Sequence, residues 1–421
     1  MPKHLFFSLT LAVLVLAEPA ARQQPPPTFR SGTQVVEIDV RVFDKDGRFV
    51  TGLTRDDFEV IEDGSPQPLQ TFFFVDDPGP SVGSKPESDA TPTVPPAVAA
   101  GPRPRQTWIF FFDLNHLTPG GGYDRARKAV EDFIRDRFRD GDVGGILAGD
   151  KMVNNRLTSV RQELLDGVKQ VKPLGDSRSR GLELTREWPR LLNEEEAIRV
   201  ARNEREDVKR ASMRACQDDA DMCPVAEAMV RQKGLRLGQE IHRASIATMG
   251  TINGLASGLA KMPGPKTVVF LSDGFVVQDI ETTLRSVVGQ IGRAGARVYA
   301  IDVRGLNRGG NAGIIDQFQV EDSMGPVTKF DAIADGPNSL AIDTGGMMIR
   351  NENNIGRALE TIAADANRYY VLGFEPSNTK WDGKFRAIQV RVKRDGLRVR
   401  ARKGYLALDP ARMTVPQPIK R

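Results

Sequence analysis

Two uninterrupted apolar runs, each ending in an aspartate, constrain this chain more than any other feature. Trp108 to Phe112 leads into Asp113-Leu114-Asn115-His116, and Thr267 to Leu271 leads into Ser272-Asp273-Gly274. A short, wholly apolar run is what a strand needs when both of its faces are covered, and open α/β sheets bind ligands outside the carboxyl ends of such strands. The sequence therefore predicts two buried parallel strands that deliver carboxylates to one edge of a sheet, and that edge is where function is expected.

The chain has 421 residues, of which 40% are hydrophobic and 27% charged, a globular composition that predicts two or three domains. The net charge of +4 is small, with acids and bases interleaved, and gives no support to nucleic-acid binding. Lys3 and His4 precede an apolar run from Leu5 to Ala17 that is followed by Glu18-Pro19. This pattern predicts a secretory signal over residues 1–21: the run falls short of the roughly twenty residues that span a bilayer, and Val15 and Ala17 suit a cleavage site. The expected product is exported, periplasmic or extracellular, and has no membrane span after cleavage. In an oxidising compartment the two cysteines, Cys216 and Cys223, are available to pair.

Residues 22–32 read as a lead-in and 77–105, rich in Pro, Ser, Gly and Ala, as a linker. Between them, residues 33–76 alternate apolar and polar positions (Val36, Ile38, Val40, Val42) around turns at Asp44 to Gly47 and Glu62 to Ser65, which predicts a small antiparallel module. Asp44, Asp46, Asp56 and Asp57 are read as turn residues rather than calcium ligands. Beyond the linker, strands at 107–112, 143–148, 267–271 and 297–302 alternate with helices near 123–138, 161–171, 279–294 and 353–366. The expected class is α/β, a doubly wound and mostly parallel sheet over residues 106–366. The excess chain at 176–262 is expected to form two antiparallel helices. One would pack along Leu191, Ile198, Ala201, Val208 and Ala215, the other along Leu235, His242, Ile246, Met249, Ile252, Ala256 and Leu259, with Cys216 and Cys223 closing the tip. Residues 367–406 predict a further β segment, including a hairpin turned at Arg394-Asp395-Gly396, that joins 33–76 in a β sandwich; 407–421 read as a tail.

In order, the strand into Asp113, the strand into Ser272-Asp273-Gly274, Val298 to Asp302 and Thr344-Gly345-Gly346 resemble a von Willebrand factor type A domain. With Tyr369 to Phe374, Asp382 to Phe385 and Arg402 to Tyr405 added, the chain looks like the bacterial proteins called VWFA-related, over roughly residues 33–406. The resemblance implies a metal-ion-dependent adhesion site for Mg²⁺ or Mn²⁺ that leaves one coordination position for a partner's carboxylate. Carried over residue by residue, the ligands are Asp113, Asn115 and Asp273, with Thr185 as the candidate second-loop threonine. Leu117 departs from the pattern because it offers no oxygen, so the implied site is degenerate. The alternative role for Asp113 and Asp273 is to hold loops and helix N-termini by hydrogen bonding.

His116, Thr118, Ser272, Gly274 and Asp302 complete the expected edge, which is read as a non-enzymatic surface for a protein partner. Pro119 to Gly122 lacks the Gly-Lys-Ser/Thr of a phosphate loop. A hydrolytic or metal-dependent enzyme at the same edge, with His116 beside Asp113, and a metal-independent envelope scaffold are the competing expectations.

Overall fold

The computed structural model describes residues 35–77, 106–277, 280–305 and 335–409. The expected signal and lead-in, nearly all of the linker and most of the tail lie outside the described residues.

The N-terminal segment supplies β1 (Val36–Phe43), β2 (Phe58–Glu62), β3 (Ser65–Gln67) and β4 (Leu69–Asp76). The sheet domain follows with β5 (Thr107–Phe112), α1 (Gly121–Asp136), β6 (Val143–Ala148), β7 (Lys151–Met152) and α2 (Arg161–Gln170). An inserted helical segment comprises α3 (Asp176–Arg186), α4 (Glu194–Ala201), α5 (Arg205–Asp218) and the long α6 (Cys223–Leu259). Then come β8 (Lys266–Ser272), α7 (Glu281–Arg293), β9 (Ala296–Asp302), α8 (Asp335–Asp343), β10 (Met348–Ile349) and α9 (Ile355–Ala366). The chain closes with β11 (Arg368–Phe374), β12 (Phe385–Val392), β13 (Arg398–Arg400) and β14 (Gly404–Leu406).

The central sheet has the order β10-β9-β8-β5-β6-β7 and is parallel except for β7. From β5 the chain first moves outward to β6, then returns to the other side of β5 at β8, so the order reverses between β5 and β8. That reversal opens a crevice at the carboxyl ends of these two strands, the usual ligand position in open α/β sheets. Their apolar runs are explained by burial on both faces. Trp108, Phe110 and Phe112 pack under α1 and α9, whereas Ile109 and Phe111 pack under α6 and α7. Gly346 belongs to the Thr344-Gly345-Gly346 turn because its backbone presses on β9, where a Cβ would collide with the Val298 carbonyl.

The flanking β segments form a sandwich of sheets β13-β1-β11-β4 and β14-β12-β2-β3. Alternation along β1 places Ile38, Val40 and Val42 inside, where they meet Val60, Tyr370, Leu372 and Ile388. The opposite face of β1 presents Arg41, fully buried, whose Nε lies 2.8 Å from Asp365 Oδ2 at the end of α9. Arg400 joins the same carboxylate, and Tyr299 donates to it at 2.6 Å. A charged pair at this depth needs such neighbours to offset its lost hydration. Sandwich and central sheet thus share a buried polar seam.

Three expectations need correction. Residues 385–392 and 398–400 do not pair as a hairpin: β12 pairs with β2 and β14, and β13 crosses to β1 in the other sheet. The inserted segment is four helices rather than two. The stretch expected to be continuous from Leu191 to Ala215 breaks at Asn203, which adopts a left-handed backbone (φ 62°) between α4 and α5. Leu191 lies ahead of α4, and Asn193 caps that helix by accepting the Glu196 N–H at 2.9 Å. The stripe assigned to α6 is also rotated in its first half. Leu237, Ile241, Ser245 and Thr248 are buried, while Leu235 is 52% and Ile246 37% exposed. The reason is a change of partner along the helix: residues near Gly234 and Gly238 pack on α4, and Met249 to Leu259 pack on the sheet. Cys216 and Cys223 are joined by a disulfide between the end of α5 and the start of α6.

Candidate functional site at the sheet edge

Asp113 follows β5, and its N–H donates to the Leu271 carbonyl of β8 at 3.0 Å, so backbone pairing carries it into the crevice. The next residues form one helical turn, with the His116 and Leu117 N–H groups both donating to the Asp113 carbonyl at 3.0 and 2.8 Å. That turn folds the His116 ring back over the carboxylate and places Nδ1 2.8 Å from Oδ2. The Ser272 hydroxyl, from the end of β8, donates to the same oxygen at 2.9 Å. Thr248 of α6 donates to Oδ1 at 2.7 Å. Asp113, His116, Ser272 and Thr248 are all buried, and a buried carboxylate is stable only when its lone pairs are taken up in this way.

Asp273 bridges the two loops from above: its Oδ2 accepts the Thr118 N–H at 2.7 Å. Gly274, with φ 102°, turns the chain so that its N–H donates to Ser272 Oγ at 3.0 Å. Burial pushes the Asp273 carboxyl above its ordinary range, against the lowering effect of the Thr118 hydrogen bonds. Burial alone would lower the His116 pKa, but the adjacent Asp113 carboxylate outweighs it and the net shift is upward.

The inserted helices are tied to this edge. Asn115 Nδ2 donates to Thr248 Oγ1 at 3.1 Å, and the Asn115 carbonyl accepts from Arg180 of α3 at 3.2 Å. Arg180 is itself held by Glu194 of α4 at 2.9 Å.

The expected edge residues thus divide into two layers. Asn115, Thr118 and Asp273 reach the surface, whereas His116, Ser272, Gly274 and Asp302 are buried and form the underside. These four therefore lie beneath the surface that Asn115, Thr118 and Asp273 reach. Asp302 is occupied by Arg304, which donates from its backbone N–H, Nε and Nη2 at 3.0, 2.9 and 2.5 Å.

Thr185 is not part of the cluster. It is exposed on α3, and its hydroxyl donates to the Gly181 carbonyl at 2.8 Å. Leu117 is packed in the core beneath α1. The residues that sequence reasoning missed are Thr248, Ser245 and Arg180. Ser245 and Thr248, three apart, lie on the buried face of α6 between Ile241 and Ile252. Two small hydroxyl residues interrupting an apolar stripe were the available signal.

A divalent cation at this edge would draw on Asp113, Asn115, Thr248, Ser272 and Asp273. The fit is poor, because both Asp113 oxygens already accept from protein side chains and one of the donors is the His116 ring. Among the described residues no three His, Cys, Asp or Glu side chains converge in a metal-binding group.

No family model matches the chain, and no curated protein does. Among solved structures the chain is similar to an aerotolerance-related membrane protein from Bacteroides fragilis, with 13% identity over 62% of this chain and 98% of that one at a TM-score of 0.31. It is also similar to the conserved hypothetical protein BatB from Bacteroides thetaiotaomicron, at 11% identity, the same coverages and a TM-score of 0.28. A membrane-spanning protein from Vibrio fischeri gives 16% identity and a TM-score of 0.16. Likeness at this level carries no argument about function. Among the described residues no helix is long and apolar enough to cross a membrane.

Proposed function

We propose that this chain is an exported, non-enzymatic binding protein that engages another protein at the β5–β8 edge of a von Willebrand factor type A-like sheet. The observation that carries this reading is the convergence of Asp113, Ser272 and Asp273, delivered by two strands on either side of the order reversal. Asn115, Thr118 and Asp273 supply the outward layer, and the buried set of Asp113, His116, Thr248 and Ser272 fixes its geometry. Because Asp113 is satisfied from within the protein, the edge is pre-organised and recognition proceeds without a cation.

Affinity capture from a native envelope extract, with and without chelator, tests this. The same partner should be recovered in both conditions and lost with Asp273→Ala. Capture that survives Asp273→Ala would refute the edge as the binding surface, and capture abolished by chelator would restore the metal-dependent reading.

One observation favours a second, hydrolytic reading. Ser245 Oγ lies 3.5 Å from His116 Nε2, and His116 Nδ1 lies 2.8 Å from Asp113, the order of a hydroxyl–imidazole–carboxylate relay. Two facts weigh against it: Ser245 is only 1% exposed, and it lies in the interior of α6, where backbone N–H groups are committed to the helix rather than free to stabilise an oxyanion. A fluorophosphonate probe should leave the protein unlabelled; labelling lost in Ser245→Ala would establish the relay.

A further inference from the structure

The seam between the sandwich and the central sheet gathers more positive charge than its acids neutralise. Arg41 of β1 lies opposite Arg400 of β13 in the strand register, and Arg297 reaches the seam from β9. All three are buried, at 0%, 8% and 3% exposure respectively. Among the described residues the carboxylates that pair with them are Asp365, held by both Arg41 and Arg400, and Asp39, whose Oδ2 lies 3.3 Å from Arg297 Nη1. Arg297 is therefore matched by Asp39, while Arg41 and Arg400 share one carboxylate. An arginine stays protonated at any ordinary pH, so one positive charge is left over in the interior.

The excess falls on Arg41. Its Nε serves Asp365, through the carboxylate at 2.8 Å and the backbone carbonyl at 3.0 Å. Its Nη1 and Nη2 have no hydrogen-bond acceptor among the described residues, and neither does Arg400 Nε. The Tyr369 ring, 5.1 Å from the Arg41 guanidinium and 4.6 Å from that of Arg297, offsets part of the charge through its π face. Burial lowers the Arg41 pKa, and the neighbouring Arg297 and Arg400 add to that lowering. Water at the Nη1–Nη2 fork would satisfy the N–H groups and leave the charge uncompensated, which is the larger cost for a group this deep.

We infer that the seam binds a small monovalent anion of halide size, held by the Nη1–Nη2 fork of Arg41 with Arg400 as the second positive charge. The class follows from the surroundings. Arg41 is sealed from solvent and the Asp365 side chain is only 9% exposed, so the ligand has no part that extends to water. A single excess charge calls for a single negative one, whereas a divalent oxyanion would reverse the imbalance. Bound there, the anion clamps β1 and β13 of the sandwich to α9 of the sheet domain.

The test is thermal unfolding of the full chain at a constant ionic strength of about 0.15 M while gluconate is replaced stepwise by chloride or bromide. Both halides should raise the melting temperature by about 2 °C or more and the rise should saturate, because a ligand specific to the native state stabilises it. Arg41→Met removes the fork and the excess charge and leaves Asp365 paired with Arg400 and Tyr299, so its melting temperature should be insensitive to halide. Bromide located by anomalous diffraction in crystals of the wild-type protein should lie within hydrogen-bond reach of Arg41 Nη1 and Nη2, a readout that stands even if Arg41→Met does not fold. A melting temperature indifferent to halide, a rise that persists in Arg41→Met, or a bromide map with no peak at the fork would overturn the inference.

Discussion

Thr248→Val removes one hydroxyl from the centre of the site and keeps the volume, so it isolates what that hydroxyl does. Thr248 is fully buried, donates to Asp113 Oδ1 at 2.7 Å and accepts from Asn115 Nδ2 at 3.1 Å. A hydrogen bond to a charged group contributes about 1.5–3 kcal/mol, and the weaker, half-buried amide contact adds about 0.5 kcal/mol. A fully buried carboxylate oxygen cannot recruit water in place of the lost donor, so most of that sum should appear as a destabilisation of about 2–3 kcal/mol. Urea unfolding followed by circular dichroism and Trp fluorescence is the assay, and a shift in midpoint at unchanged slope is the signature of lost stability. Thr248→Ser, which keeps the hydroxyl and removes a methyl, should cost only about 1 kcal/mol. In a double-mutant cycle with Asp113→Asn the two sites should couple, since they share one hydrogen bond. A Thr248→Val protein within about 0.5 kcal/mol of wild type, or less destabilised than Thr248→Ser, would refute the reasoning.

Gly234→Val tests the close approach of α4 and α6: a Cβ at Gly234 runs into the Val200 side chain, and overpacking of this kind costs about 1–3 kcal/mol in the same urea assay. Stability should also depend on pH through His116. Its pKa is raised in the folded protein, so its contribution is fully present below the unfolded value of about 6.5 and is lost as pH rises through the folded value, whereas His116→Gln should flatten that part of the profile. Millimolar Mg²⁺ or Mn²⁺ should leave the melting temperature of the wild-type protein unchanged; a rise that disappears in Asp113→Ala would identify a native-state cation site.

The strands of the central sheet were legible because burial on both faces forces a continuous apolar run, and such a run has recognisable ends. β5 was expected at 107–112 and β6 at 143–148, and they occur at Thr107–Phe112 and Val143–Ala148. The sandwich was legible for a related reason: the apolar residues that face its core alternate with polar ones along β1. By contrast β7 and β10 have two residues each and hold no period to detect. The register of α6 escaped because a single helix serves two partners, and its buried face turns where the partner changes. Asp113 and Asp273 could be placed on one edge from their strands alone. Thr248 could not, because its partner Asp113 lies 135 residues away in sequence and no local pattern encodes that meeting. The same blindness misplaced the threonine at 185, where a plausible residue type stood in the wrong helix.

The pairing of His116 with Asp113 at the β5–β8 edge is the claim on which the rest depends, and a histidine ¹⁵N NMR titration tests it most directly. The chain contains three histidines, His4, His116 and His242, so the resonances can be assigned by single substitution. The account predicts that His116 keeps a proton on Nδ1, titrates above the ordinary histidine value of about 6.5, and falls toward or below it in Asp113→Asn. A His116 that titrates at or below the ordinary value and does not respond to Asp113→Asn would contradict the account.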